Sequence, residues 1–221
     1  MSDSVLIDLH VHTSRYSPCA ELMDPDQLLQ AAVRCGLQGL VVSDHDFLWD
    51  GDELQALQDL SGGRLKLYRG FEATCREGHF VVIGVKELHG HRSGDSLVFL
   101  ARQVHSEGGV VIAAHPYRQN LLINLKPFPE AFLESIDAVE TVNATSTTHQ
   151  INTSLHFSAR IQRPAVGGSD AHYPEAVGAA CTRFVKLPAD EQALARAIRL
   201  GHAWPDSARL VAPWLKPPVS P

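Results

Sequence analysis

The run Val5-Leu6-Ile7-Asp8-Leu9-His10-Val11-His12 constrains the fold of this chain more than any other stretch. Its apolar part has the length of a buried strand and is too short for a helix. Successive side chains of a strand point to opposite faces, so residues two apart share one. His10 and His12 therefore share a face near the end of a rigid element. That is half of a metal site before any loop contributes. Taken alone, the pair reads equally well as two polar residues closing a strand, because two-residue patterns are common. Its recurrence further along the chain tips the balance.

Apolar runs ending in ligand-type residues return at regular intervals. Residues 40–42 lead into Ser43-Asp44-His45-Asp46, residues 65–68 into Gly70-Phe71-Glu72, and residues 110–114 into His115-Pro116-Tyr117-Arg118. Residues 136–142 run toward a loop that delivers His149, and residues 165–168 end in Ser169-Asp170-Ala171-His172. Residues 184–187 make a short last strand. Helical patterns lie between these runs. Asp24-Pro25 places an N-cap before a first-turn proline, Leu28, Leu29, Ala32 and Val33 carry the helical period, and Gly36 stops it. Further helices are expected at 53–60, 96–105, from near His149 to 161, and at 191–200. The β-rich stretch 79–85 reads as an added strand or hairpin. Residues 119–129 read as a long loop over the mouth of the fold, and a proline-rich tail begins at about residue 212.

Strand and helix in alternation predict a parallel α/β sheet or barrel in a single domain, which 221 residues accommodate. Reactive residues of such folds gather at the C-terminal ends of the strands. His10, His12, His45, Glu72, His115, His149, Asp170 and His172 all fall there. Left bare, so many imidazoles and carboxylates would repel one another and carry desolvation costs, both of which bound cations offset. The set is rich in imidazole with two carboxylates, which suits zinc, manganese or iron better than magnesium. It is too large for one tetrahedral ion. A cluster of two or three ions bridged by a carboxylate such as Glu72 is expected, and adjacent cations suit hydrolysis at phosphorus.

Charge and cysteine content bound the alternatives. A formal net charge of −6 argues against an extended nucleic-acid surface. No apolar run reaches transmembrane length and the N-terminus lacks signal-peptide character, so a cytoplasmic protein without membrane contact is expected. Four cysteines without CxxC spacing indicate neither a disulfide framework nor a thiolate zinc site.

His10-Val11-His12-Thr13, Ser43-Asp44-His45, Gly70-Phe71-Glu72, Ala114-His115-Pro116 and Ser169-Asp170-Ala171-His172 resemble the successive motifs of the PHP (polymerase and histidinol phosphatase) superfamily. The resemblance runs from about residue 5 to about residue 185. It implies a distorted seven-stranded (β/α)7 barrel, TIM-like, and a stand-alone phosphoesterase acting on a small phosphorylated metabolite or nucleotide. It also implies that His10, His12, Glu72 and Asp170 hold one ion, that Glu72 bridges to a second held by His115 and His149, and that His45 and His172 hold a third. The chain departs from the family pattern in one place. Ser17 and Pro18 stand where members often carry a third-site His or Asp, which leaves Cys19 or Glu21 as substitutes. With that site incomplete, His45 and His172 would serve as acid or phosphate contacts.

Arg15 and Arg118 directly follow metal motifs and are the candidates to grip phosphate, with a solvated loop arginine as the plainer alternative. Asp44 is expected to orient a neighbouring ligand, and Asp46 either to do the same or to cap a turn. His79, His89, His91, His105 and His202 read as surface or structural. Two other functions compete. An amidohydrolase-type barrel also begins with HxH and ends with a strand aspartate, but no lysine near a strand end offers a bridging carbamate. A non-catalytic metal-binding regulatory module would retain fewer ligands.

Overall fold

In the computed structural model, which describes residues 4–118 and 129–206, every strand joins one mixed sheet. The expected tail from residue 212 lies outside the described residues, as does the mouth loop apart from Pro129. Strands β1 (Val5–Val11), β2 (Gly39–Val42) and β3 (Lys66–Cys75) are parallel neighbours. So are β5 (Val110–Ala113), β6 (Ala138–Asn143) and β7 (Ala165–Gly168). Between these two groups β4 (Gly78–Ile83) runs antiparallel to both β3 and β5. On the other side β8 (Cys181–Phe184) pairs antiparallel with β1, and β9 (Ala203–Asp206) antiparallel with β8.

The sheet order is β7-β6-β5-β4-β3-β2-β1-β8-β9, so the described residues form nine strands where the family resemblance implies seven. The physical reason lies in the two antiparallel additions. Cys75 pairs with Gly78 across a two-residue turn, which makes β3 and β4 a hairpin inserted into the parallel series. Arg183 donates to Asp206 at 2.8 Å and pins β9 to β8.

The sheet nearly closes where β7 meets β1. The Asp170 amide donates to the His10 carbonyl at 2.8 Å, and the His12 amide to the Ala171 carbonyl at 3.0 Å. A side chain at position 168 would lie 2.6 Å from the Cβ of His10, so this approach requires Gly168.

Helices clothe the barrel. α1 (Pro25–Arg34) and α2 (Gly51–Leu60) bury Leu28, Leu29, Leu54 and Leu57 against the outer side of β1–β3. α3 (Leu97–Ser106), α4 (Glu130–Glu134) and α5 (Thr148–Ile161) bury Leu100, Val104, Phe132 and Phe157 against β3–β6. The interior holds Ile7, Leu9, Val41, Tyr68, Val81, Ile112 and Val166. Leu194, Ala195 and Ile198 of α6 (Glu191–Arg199) pack with that interior cluster. Burial of these apolar surfaces supplies the main stabilisation. No helix among the described residues is long and apolar enough to cross a membrane.

Candidate metal centre

The placement of the first two histidines depends on a fault in β1. Ile7 and Leu9 pack in the barrel interior, whereas Leu6 and Val11 pack under the outer helices. Regular alternation from Leu9 would put Val11 inside and both histidines outside. The register of β1 against β2 slips between Asp8 and Val11, which reverses the parity and turns His10 and His12 inward. Asp8 anchors the slip. Its Oδ1 accepts from the amides of His10 (3.3 Å) and Ser169 (2.9 Å), and its Oδ2 from that of Gly178 (3.0 Å). Burial pushes its carboxyl up to about 6 in spite of these donors.

Around His10 the ligand-type side chains converge. Its Nε2 lies 3.1 Å from His12 Nε2, 3.2 Å from Glu72 Oε2 and 3.5 Å from Asp170 Oδ1. His115 Nε2 reaches the other oxygen of Glu72 at 3.0 Å. His10, Glu72, His115 and Asp170 form one group able to hold an ion, and all four are buried. A second group comprises His45, Glu72 and His79, with His45 Nδ1 3.3 Å from Glu72 Oε2 and His79 Nδ1 3.0 Å from Glu72 Oε1. The third comprises His12, His45 and His172, whose rings lie against one another at 4.5–4.6 Å centroid separation about His12.

Seven of the sequence-predicted ligands are thus brought together: His10, His12, His45, Glu72, His115, Asp170 and His172. His149 is not among them. The capping box of Thr147 with Gln150 starts α5 so that His149 sits exposed on its first turn. His79 joins the cluster instead, although the sequence reading treated it as surface or structural. Opposite residues of an antiparallel pair share a face, and Glu72 pairs with Val81 while Thr74 pairs with His79. The hairpin register was the signal that would have found it. Glu140 is the other residue the sequence reading left without a role: its Oε1 lies 3.0 Å from His10 Nδ1.

Arg118 reaches the cluster. Its Nη1 contacts the Asp170 carboxylate and donates to Thr145 Oγ1 at 2.7 Å, and its Nη2 lies 3.0 Å from His115 Nε2. Arg15 is held elsewhere. It pairs with Glu53 and lies over the rings of Tyr16 and Trp49 at 5.7 and 5.8 Å. Cys19 and Glu21 are exposed and belong to none of the three groups. Asp44 accepts from the Thr13 amide and hydroxyl and from Trp49 Nε1, each at 2.7 Å, tying the loop after β1 to the loop after β2. Asp46 accepts from the Thr74 amide at 2.7 Å and from His91 at 2.9 Å.

The electrostatics fit resident cations. Burial alone would raise the Glu72 carboxyl, but the charge on His10 and the hydrogen bond from His115 to Oε1 hold it well below the usual carboxylate range. Asp170 is likewise lowered, against its burial, by His10 and His12. Burial lowers His45 to about 4, aided by His12 and His79, and burial with His12 lowers His172. Both imidazoles are therefore neutral near pH 7, the state that ligates metal. Glu72 Oε2 and His45 Nδ1 are buried without a hydrogen-bond partner among the described residues. Two unsatisfied polar atoms facing each other are costly unless a cation joins them. Imidazole nitrogen and carboxylate oxygen are the donor set of zinc, manganese or iron.

A buried imidazole–carboxylate cluster at the mouth of a nearly closed barrel defines a candidate multi-metal centre. The family described as PHP-associated matches residues 149–203. Among solved structures, a two-domain protein from Bacteroides vulgatus, described as containing a predicted PHP-like metal-dependent phosphoesterase, is 16% identical with a TM-score of 0.71. That match covers 92% of this chain and 64% of that one, so this chain spans less than two thirds of it. PsfC from Pseudomonas syringae is 20% identical with a TM-score of 0.70, covering 94% of this chain and 95% of that one. The lesion-specific endonuclease Q from Pyrococcus furiosus is 18% identical with a TM-score of 0.66, covering 91% and 57%. No curated protein sequence matches the chain. The likeness to these structures shows a shared fold, and the family match concerns residues 149–203.

Proposed function

We propose that the chain is a metal-dependent phosphoesterase that hydrolyses a small phosphorylated metabolite or nucleotide at a centre of two or three divalent ions. The observation that carries this reading is the position of Glu72. One of its oxygens faces His10, His12 and His45, and the other faces His115 and His79. A carboxylate shared in this way suits a bridge between two ions.

His10, Glu72, His115 and Asp170 would hold one ion, Glu72 with His79 a second and His12 with His172 a third, and His45, which offers one lone pair as a neutral imidazole, would complete either the second or the third. Divalent cations supply Lewis acidity there, stabilising charge on phosphoryl oxygens and making water acidic enough to attack near neutral pH. Arg118 presents a planar fork at the mouth, the geometry that pairs with two phosphate oxygens at once. His45 and His172, kept neutral by burial, suit ligation and proton acceptance more than donation. Their assignment as acids in the sequence reading is accordingly the weaker of their two roles. The net charge of −6 favours a small anion drawn to a local cationic centre over an extended nucleic acid.

The test compares p-nitrophenyl phosphate, bis-p-nitrophenyl phosphate, lesion-containing duplex DNA and an amide substrate, each after chelation and after addition of Mn²⁺ or Zn²⁺. Metal-dependent hydrolysis of the small esters is expected. Cleavage of DNA alone would move the substrate assignment to nucleic acid, and cleavage of the amide alone would favour the amidohydrolase reading.

A further inference from the structure

Behind the ligands, on β6, Glu140 sits buried with both oxygens in use. Oε1 lies 3.0 Å from His10 Nδ1, while Oε2 accepts from the His115 amide at 2.8 Å and from Asn143 Nδ2 at 3.0 Å. One carboxylate therefore touches a ligand on β1 and the backbone of a ligand that follows β5. The chain leaves room for it. A side chain at position 168 would come within 2.6 Å of Glu140 Oε1, so Gly168 is what lets the carboxylate reach His10. His115 also needs holding in place, because its φ of +27° lies in a region that non-glycine residues rarely occupy. The hydrogen bond from its own amide to Glu140 falls at that strained residue.

We infer that Glu140 is a positioning residue that fixes the His10 proton on Nδ1, leaving Nε2 for metal, and that holds the His115 backbone in its strained conformation. This rests on the reading of His10 and His115 as metal ligands. The chemistry follows from counting donors. Glu140 Oε2 accepts N–H groups from His115 and Asn143, and because a carboxylate only accepts, the His10 Nδ1 beside Oε1 must bring its proton to that contact. The Asn143 amide is not free to turn over, because its Oδ1 already accepts from the amide and hydroxyl of Thr145 at 3.0 and 2.7 Å. In Glu140→Gln the single carbonyl oxygen must serve His115 and Asn143. The new NH₂ then points at His10 Nδ1 and forces the ring proton onto Nε2, the atom that faces Glu72, Asp170 and His12. Glu140→Asp keeps both acceptors but withdraws them by one methylene, so it loosens the same contacts without reversing them.

The experiment uses the full chain with Zn²⁺ as the probe. Zinc affinity is measured by competition with a chromophoric chelator, and long-range ¹H–¹⁵N spectra of the zinc-loaded protein report which His10 nitrogen carries the proton. The expected result is Nδ1–H in the wild type and zinc binding weakened about 10- to 100-fold in Glu140→Gln, the size typical for residues that orient metal ligands. Glu140→Asp should weaken it less. A folded Glu140→Gln with wild-type zinc affinity overturns the inference, as does a wild-type His10 protonated on Nε2. If Glu140→Gln does not fold, the wild-type spectrum and Glu140→Asp decide. A wild type that takes up no zinc overturns the metal-centre reading itself, which is distinguishable from wild type and variant binding equally.

Discussion

The inner and outer halves of the candidate metal centre are built differently. His10, Glu72, His115 and Asp170 are all buried, with two carboxylates among them and a further layer behind that includes Asp8 and Glu140. His12, His45 and His172 include no carboxylate, and His45 and His172 keep 26% and 28% of their side chains exposed. The inner half offers negative charge in a dry site. The outer half offers the neutral imidazoles of His45 and His172 at the rim. A dication is therefore expected to bind tightly inside and more weakly outside.

Glu72→Gln should have the largest effect because it removes the carboxylate shared by the His10–His115–Asp170 group and the His45–His79 group. Loss of at least one ion is expected, with a fall in kcat of about a hundredfold or more, equivalent to about 2.7 kcal/mol. Circular dichroism should show the fold retained, since the apolar strands carry the core. Metal content and phosphatase activity on one preparation check this, and full activity with a full metal complement would mean that Glu72 is not the shared ligand.

Asp8→Asn probes the backbone under the inner half. Its amide NH₂ would face a backbone N–H that Asp8 now satisfies, a loss of about 1–3 kcal/mol of stability. The pH dependence has a definite sign. Because the folded-state carboxyl titrates near 6 and the unfolded one near 3.8, the folded protein binds more protons between those values. Stability contributed by Asp8 is then greatest at acid pH and declines as pH rises through that window. Melting temperatures of metal-free wild type and Asp8→Asn should differ most near pH 4 and least above about pH 6. A difference that grows with pH would refute the assignment.

His172→Ala should strip the outer half alone. About a tenfold loss of activity at limiting metal is expected, rescued by excess metal, because losing one imidazole from a weak site is an affinity defect. Dialysis of the wild type against a mild chelator should remove this outer ion first. Simultaneous loss of all ions would erase the distinction between the halves. The two arginines give the smallest contrast. Arg118→Ala should raise KM for phosphate esters by about tenfold, the worth of a charged hydrogen bond. Arg15→Ala, whose partner is Glu53, should change it by less than about twofold, in keeping with the small value of exposed ion pairs.

Much of this centre was legible in the sequence because the parallel strands deliver it in a regular way. Apolar runs ending in His10-Val11-His12, His45, Glu72, His115 and Asp170-Ala171-His172 announce both the strand and the candidate ligand at its end. The departures come where that regularity stops. His79 enters from the antiparallel β4, so its side depends on hairpin register, which no apolar pattern encodes. Glu140 lies within a strand and acts through other residues. His149 follows a strand in sequence, but the helix cap at Thr147 takes up the loop that would have carried it inward. The ninth strand, Ala203–Asp206, contains Trp204 and Pro205 and no alternating pattern, because a short edge strand needs little of its own. The inward turn of the HxH pair was expected from spacing alone, yet it depends on a register slip that only the paired strands reveal.

Stepwise metal reconstitution tests the central claim most directly. Metal-free protein is titrated with Mn²⁺ or Zn²⁺ while hydrolysis of p-nitrophenyl phosphate and bound metal are followed together. Activity absent in the metal-free protein should appear as the sites sharing Glu72 fill, with a weaker outer site filling last. Activity that persists without metal, or that never appears although the ions bind, would contradict the account.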